Sequence, residues 1–204
     1  MGFIGKAIAP EGALDVAALA QGEPSLPAAF TFEGERLEVR DVRKTWRSTK
    51  DDRGDTYVKI PITNTNADSA APLIRKLSTE GLSLNVTAVL TLDQVETVAS
   101  AARGARIIVS VFAGRVADTG VDPVPMMTKA AGILKSVPNA ELLWASPREV
   151  LNVVQARECG CHIITATPDL IAKVPLLGTD LHAYSLQTVK MFHDDARAAG
   201  FKLV

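Results

Sequence analysis

The sequence predicts an α/β protein in which consecutive βα units surround a parallel sheet, and two observations lead there. From Tyr57 onward, short β-branched runs alternate with longer segments whose apolar residues fall three or four apart, the pattern of strands joined by crossover helices. Aromatic residues make up only 5% of the chain while Ala, Val, Leu and Ile are plentiful, a balance that suits α/β layers better than an aromatic-rich β-sandwich.

The strands read, in order, TYVKIPI (56–62), LNVTAVL (84–90), RIIVSVF (106–112), ELLWAS (141–146) and CHIITAT (161–167). Each is short and rich in Val, Ile, Leu or Thr, as strands buried on both faces are. Between them, residues 68–81, 91–103, 123–136 and 147–158 carry helical periodicity with a turn residue at one end. A last helix, from about residue 185 to 199, ends at Gly200, a suitable C-cap. The strand starts recur at the rhythm of one strand, one helix and two short loops, with no repeat of sequence.

Residues 1–55 behave differently and form an atypical N-terminal segment ahead of the βα portion, residues 56–204. Their second half, EGERLEVRDVRKTWRSTKDDRGD, is dense in charge, and only residues 28–32 read as a strand. A complete eight-stranded barrel takes roughly 250 residues, so this segment does not readily supply three more βα units.

Charge and composition exclude several functions. The 22 Lys and Arg against 23 Asp and Glu give a net charge of −1, which argues against a nucleic-acid partner held by clustered cations. No stretch reaches the ~20 apolar residues of a membrane span, and Glu11 and Asp15 interrupt what would be a signal peptide's apolar core. Cys159 and Cys161, one residue apart, lack the second ligand pair of a zinc site and read as reduced thiols. A cytoplasmic protein is expected. No glycine-rich phosphate loop follows a strand, which disfavours a Rossmann-type nucleotide site. His162, His182 and His193 are scattered without ligand spacing, so no metal is expected.

The chemistry begins at Lys59, inside an otherwise apolar strand. Burial disfavours the ammonium form, and a lysine pushed toward neutrality is an amine nucleophile able to form a Schiff base. A lysine at the strand end, snorkelling to the surface, fits the same motif, and context has to decide. On the next strand Asn85 and Thr87 lie two residues apart and face one side. Ser110 lies on the third strand and Arg115 falls in the loop beyond it. In WASPRE, Ser146 is placed to cap a helix, with Pro147 at its first position and Arg148 after it, a phosphate-binding arrangement. Each feature is weak alone; their shared location at strand C-termini is stronger.

Taken in order, KIPIT, EGLSLNVTAVLTLDQ, VSVFAGRVAD, LLWASPRE and IITATPDL resemble successive strands of the transaldolase and fructose-6-phosphate aldolase family, from about Tyr57 to the C-terminus. The resemblance implies a (β/α)8 TIM-barrel-type fold, here incomplete, with about five clear βα units from residue 56 onward. It implies an enzyme of carbohydrate metabolism, acting on sugar phosphates by aldol cleavage or transfer without metal or organic cofactor. It makes Lys59 the Schiff-base lysine. Asn85, Thr87 and Ser110 then match positions that orient the imine, the catalytic water or substrate hydroxyls, and Arg115, Ser146 and Arg148 match positions that hold the sugar phosphate. The family's first-strand aspartate and TTNP-like turn are not found in residues 1–55. Glu33 stands where the family's third strand reads SFE, which makes it the candidate acid. The alternative is a catalytically impaired barrel fragment that binds sugar phosphate or covers its open sheet edge by homo-oligomerisation.

Overall fold

The computed structural model of the protein describes residues 56–201 and, ahead of them, four short strands: β1 (Phe3–Gly5), β2 (Ala29–Phe32), β3 (Glu35–Glu38) and β4 (Ser48–Lys50). Five more strands follow: β5 (Thr56–Pro61), β6 (Leu84–Val89), β7 (Ile107–Val111), β8 (Ala140–Trp144) and β9 (Ile163–Ala166). Helices α1 (Ala71–Thr79), α2 (Leu92–Ala101), α3 (Ala113–Asp118), α4 (Val124–Leu134) and α5 (Leu151–Glu158) connect them, and α6 (Pro168–Lys173) follows β9.

Strands β5 to β9 pair in parallel, each with its successor, and antiparallel β4 and β1 flank them in the order β1-β9-β8-β7-β6-β5-β4. Strands β2 and β3 form a separate antiparallel pair. The parallel strands with their alternating helices are those of a partial TIM barrel.

Side chains in a strand alternate between faces, so each parallel strand feeds two layers. Leu84 and Val86, Ile107, Val109 and Val111, and Leu142 and Trp144 all face the helices. There they meet Ile74 of α1, Val95 and Val98 of α2, Met127 and Leu134 of α4 and Ala156 of α5 in one core cluster. The intervening residues Tyr57, Ile108, Leu143, Ala145 and Ile163 form a second, smaller cluster. That second face is the inner face, and it carries the polar residues of the strands.

The chain divides into two compact units, Met1–Ala172 and Lys173–Val204. The first holds the sheet and α1 to α5. In it, α2 begins with a reciprocal cap: the Thr91 hydroxyl accepts from the Gln94 N–H while the Gln94 side chain accepts from the Thr91 N–H. The second unit holds a 3₁₀ turn at Val174–Leu176 and helix α7 (Leu181–Ala198), none of whose residues is buried. Helix α7 starts a turn before the position expected from sequence, because the Asp180 carboxylate accepts from the Ala183 N–H and caps it there.

Two local departures from the sequence reading have physical causes. Arg115 is on a short helix, α3, rather than in a loop. Residues 1–55 contribute four strands where one is expected; three-residue β1 and β4 are too short to show a strand period in the sequence and join the sheet by antiparallel pairing with β9 and β5. Among the described residues no helix is long and apolar enough to cross a membrane.

Leu142 is fully buried between sheet and helices. Leu142→Ala should therefore lower unfolding free energy by about 2–5 kcal/mol, read by denaturant titration; a loss below about 1 kcal/mol would show that this layer is not the core of the fold.

Candidate functional site

The inner face opens at the C-terminal ends of the parallel strands into a cavity of about 390 Å³. Lys59 of β5, Thr87 of β6 and Ser110 of β7 line it together with Arg115, Ser146 and Arg148. The fold thus brings six of the eight sequence-predicted site residues to one cavity. Asn85 lies directly beneath it, paired in register with Lys59. Glu33 lies outside the described residues.

Polar groups on this face are unevenly satisfied. The Ser110 hydroxyl donates to Asn85 Oδ1 at 2.7 Å, which fixes the carboxamide and points its amino group elsewhere. Asn85 is fully buried, and its Nδ2 has no hydrogen-bond partner; nor has the buried Thr87 Oγ1. Unpartnered buried polar atoms cost free energy and are rare in folded proteins. A bulge in β6 accompanies them: Ala88 has a positive φ of 60°, and the ladder to β7 shifts between Val86 and Val89. The extra residue returns Val89 to the same outer core as Val86, three positions earlier, while Thr87 stays at the cavity.

Lys59 reaches the cavity from the middle of β5 and remains accessible to solvent at its mouth. Desolvation by the surrounding strands nevertheless lowers its pKa from the ordinary 10.5. The amine is therefore more readily neutral than a surface lysine's, the direction that favours nucleophilic attack on a carbonyl.

The opposite side of the cavity is built on the loop between β8 and α5. Ser146 does not cap a helix, and Pro147 does not begin one, because α5 starts only at Leu151. Asn152, buried in the first turn of α5, accepts the N–H groups of Arg148 and Glu149 on its Oδ1 at 2.7 and 3.1 Å. Those amides are thereby taken, so the side chains rather than a helix N-terminus face an anion here. Ser146 itself has a positive φ of 59°, a conformation that costs free energy for a non-glycine residue. Two neighbours hold it. Its N–H donates to Thr165 Oγ1 at 3.1 Å, and its carbonyl lies where a Cβ on Gly114 would be, 1.5 Å from that oxygen. Only glycine fits at position 114.

The two arginines are held in different ways. The Arg115 guanidinium stacks over the Phe112 ring with its carbon 4.9 Å from the centroid. Arg148 donates from Nε to Asp118 Oδ1 at 2.8 Å and from Nη2 to Asp118 Oδ2. That bond keeps the Asp118 carboxyl below its ordinary pKa and raises that of the guanidinium.

Sequence reasoning missed Thr165, Phe112, Gly114 and Asp118. The alternation in IITAT would have put Thr165 beside Ile163 on the inner face, and the GRVAD spacing places Asp118 one helical turn after Arg115. Gly114 and Phe112 carry no signal separable from their neighbours. Burial raises the pKa of both Cys159 and Cys161, which keeps them protonated and unreactive.

A family model described as Transaldolase/Fructose-6-phosphate aldolase matches residues 29–203. Proteins named "Probable transaldolase" are similar over most of the chain. That of Nitrosopumilus maritimus (strain SCM1) is 30% identical over 169 residues, 81% of this chain and 70% of its own length. That of Thermoanaerobacter sp. (strain X514) is 27% identical over 172 residues, covering 84% and 71%. A third, from Streptococcus equi subsp. equi (strain 4047), is 31% identical over 167 residues, covering 81% and 69%.

Because its pKa is lowered, the neutral fraction of Lys59 rises at a lower pH than that of an ordinary lysine. Labelling with an acylating reagent, resolved by residue with mass spectrometry, should show Lys59 half-reacted below pH 10.5. A midpoint at or above that value contradicts the desolvation argument.

Proposed function

The chain belongs to the transaldolase/fructose-6-phosphate aldolase family, and on that premise we propose that it makes or breaks a carbon–carbon bond of a sugar phosphate through a Schiff base on Lys59. One observation carries the reading: an amine of lowered pKa shares a single cavity with two arginines. The neutral amine attacks the ketone carbon of a ketose, and the carbinolamine loses water to give an iminium. This cation draws electrons from the adjacent carbon–carbon bond, which breaks as a base takes the proton of the neighbouring hydroxyl. An aldehyde leaves, and a three-carbon enamine stays on Lys59. Protonation and hydrolysis of the enamine complete an aldol cleavage, while addition to a second aldehyde completes a transfer.

The other residues follow from that chemistry. Asn85 Nδ2 and Thr87 Oγ1, buried without partners, supply the hydrogen bonds that substrate hydroxyls or a water need as the imine forms. Ser110 holds the Asn85 carboxamide by its Oδ1 and so leaves Nδ2 free of a protein partner. Arg115, Arg148 and Ser146 take the phosphate at the far side of the cavity. Glu33 serves as the acid. An imine mechanism needs no metal or organic cofactor, since the iminium itself is the electron sink. The reading places the protein among cytoplasmic enzymes of carbohydrate metabolism, in the transaldolase or lyase chemistry of the pentose phosphates.

Borohydride added with a ketose phosphate should attach one reduced sugar fragment to Lys59, located by mass spectrometry, and Lys59→Arg should abolish both label and turnover. Label on a different lysine, or none from any ketose phosphate, sinks the assignment; phosphate binding without label would leave a barrel that holds sugar phosphate and does not cleave it.

Arg115→Ala should weaken phosphorylated substrates by roughly 1.5–3 kcal/mol, the range for hydrogen bonds to charged groups. Steady-state KM values for a phosphorylated ketose and its unphosphorylated analogue make the comparison, and an equal loss for both would show that Arg115 is structural.

A further inference from the structure

Asp118 ends helix α3, one turn beyond Arg115, and has no part in the reaction described above. Its two carboxylate oxygens nonetheless take two N–H groups of Arg148, from Nε and from Nη2, across 30 residues of sequence. The backbone N–H of the same arginine is held by Asn152 Oδ1 at 2.7 Å. A side chain with many rotatable bonds is thus fixed at its root and at its head. Arg148 still lines the cavity.

We propose that Asp118 is a positioning residue for the phosphate end of the substrate, acting through Arg148: it grips one edge of the guanidinium so that the remaining N–H groups meet the anion as a preformed fork. This rests on the reading of the cavity as a sugar-phosphate site. The guanidinium carries five N–H donors in one plane. Asp118 uses the Nε–H and one Nη2–H, which leaves the other Nη2–H and both Nη1–H groups for a second oxyanion. A phosphate met by a preoriented arginine loses less side-chain freedom on binding than one that must order the arginine itself.

The competing expectation is that a carboxylate beside an anion site repels the anion. Two observations weigh against it. The Asp118 side chain is 50% exposed, so water and salt screen its field, whereas screening does not undo the orientation of a hydrogen-bonded head group. The charge of Asp118 is also answered twice, since Arg115 as well as Arg148 acts on its carboxylate. The surroundings of the cavity therefore keep net positive character.

Inorganic phosphate titrated calorimetrically into the full chain tests the proposal, at about 0.15 M salt, where charges are screened beyond about 8 Å. Asp118→Asn, which keeps the shape but cannot accept on both atoms, should weaken phosphate about tenfold. Arg148→Ala should weaken it at least as much, and the double variant should be no worse than Arg148→Ala alone, since Asp118 acts through that residue. In steady-state assays the ratio of KM for a phosphorylated ketose to KM for its unphosphorylated analogue should rise in Asp118→Asn; a merely structural role would leave the ratio unchanged. Phosphate bound by Asp118→Asn as tightly as by the parent chain, or additive losses in the double variant, would overturn the proposal. Should Asp118→Asn not fold, Arg148→Lys carries the test: it keeps the charge, cannot form the fork, and must lose phosphate by a similar factor, with unchanged affinity overturning the proposal. The two readings fail separately. Phosphate held through Asp118 and Arg148 with no borohydride label on Lys59 removes the imine and leaves this inference; label on Lys59 with no phosphate binding does the reverse.

Discussion

Everything in the first unit depends on the period of two in its parallel strands. A strand covered by helices must send every second side chain into the helix layer, and that layer accepts only apolar residues without cost. The chain obeys: the buried clusters on the helix side contain Leu84, Val86, Val109, Leu142 and Trp144. The remaining positions are released from that demand. Lys59, Asn85, Thr87, Ser110 and Thr165 occur only at those positions, so the candidate site is what the strands can display once the outer core has claimed its share. A one-residue slip of any strand would exchange the two sets, and in β5 it would bury Lys59 against the helices. The β6 bulge is the one place where the period breaks, and it does so beside Thr87, where an apolar Val89 must still return to the core.

Opposite the lysine, the fold relies on fixed backbone instead of strand alternation. The Ser146 turn is held by a hydroxyl from β9, by the absence of a side chain on Gly114, and by Asn152 a few residues on. Helix α3 supplies one of these relations and adds another to the same loop, placing Gly114 under the Ser146 carbonyl and Asp118 against Arg148. Backbone conformations that cost free energy persist only where surrounding contacts over-determine them. This loop has such contacts from three elements, which accounts for a strained residue at the edge of an open cavity.

The strands and their order were legible because two-sided burial writes a continuous apolar run: β5, β6, β7 and β9 fall within the runs read from sequence, and β8 begins one residue ahead of its run. The start of α5 was not legible. Ser146-Pro147 has the composition of a helix start, but Asn152, six residues after Ser146, competes for the same amides and pulls the start to Leu151. Helix α3 was missed because six residues give too short a window for periodicity. Lys59, Arg115 and Arg148 stood out as charges in or beside apolar runs. Asp118 did not, since an acidic residue at a helix end looks like any solvated carboxylate until a residue 30 positions away is seen to hold it.

A site of this kind needs opposite electrostatics within one small cavity. Lys59 must lose its proton easily, which calls for poor solvation of a cation, while the arginines must keep theirs and attract a dianion. Guanidinium meets its half of the requirement intrinsically, because no protein environment strips its proton. Lysine does not, and desolvation is the dominant cause of its shift. The architecture separates the two demands by element. The lysine rises from within a β-strand, where partial burial of its stem lowers its pKa while its end stays accessible, and the arginines stand on α3 and on the loop after β8, where their side chains are exposed and Asp118 compensates their charge. Exchanging those placements would fail on both counts: an arginine in the middle of β5 would stay charged and could not attack a carbonyl, and a lysine at position 148 would offer Asp118 and a phosphate one point charge instead of a planar fork.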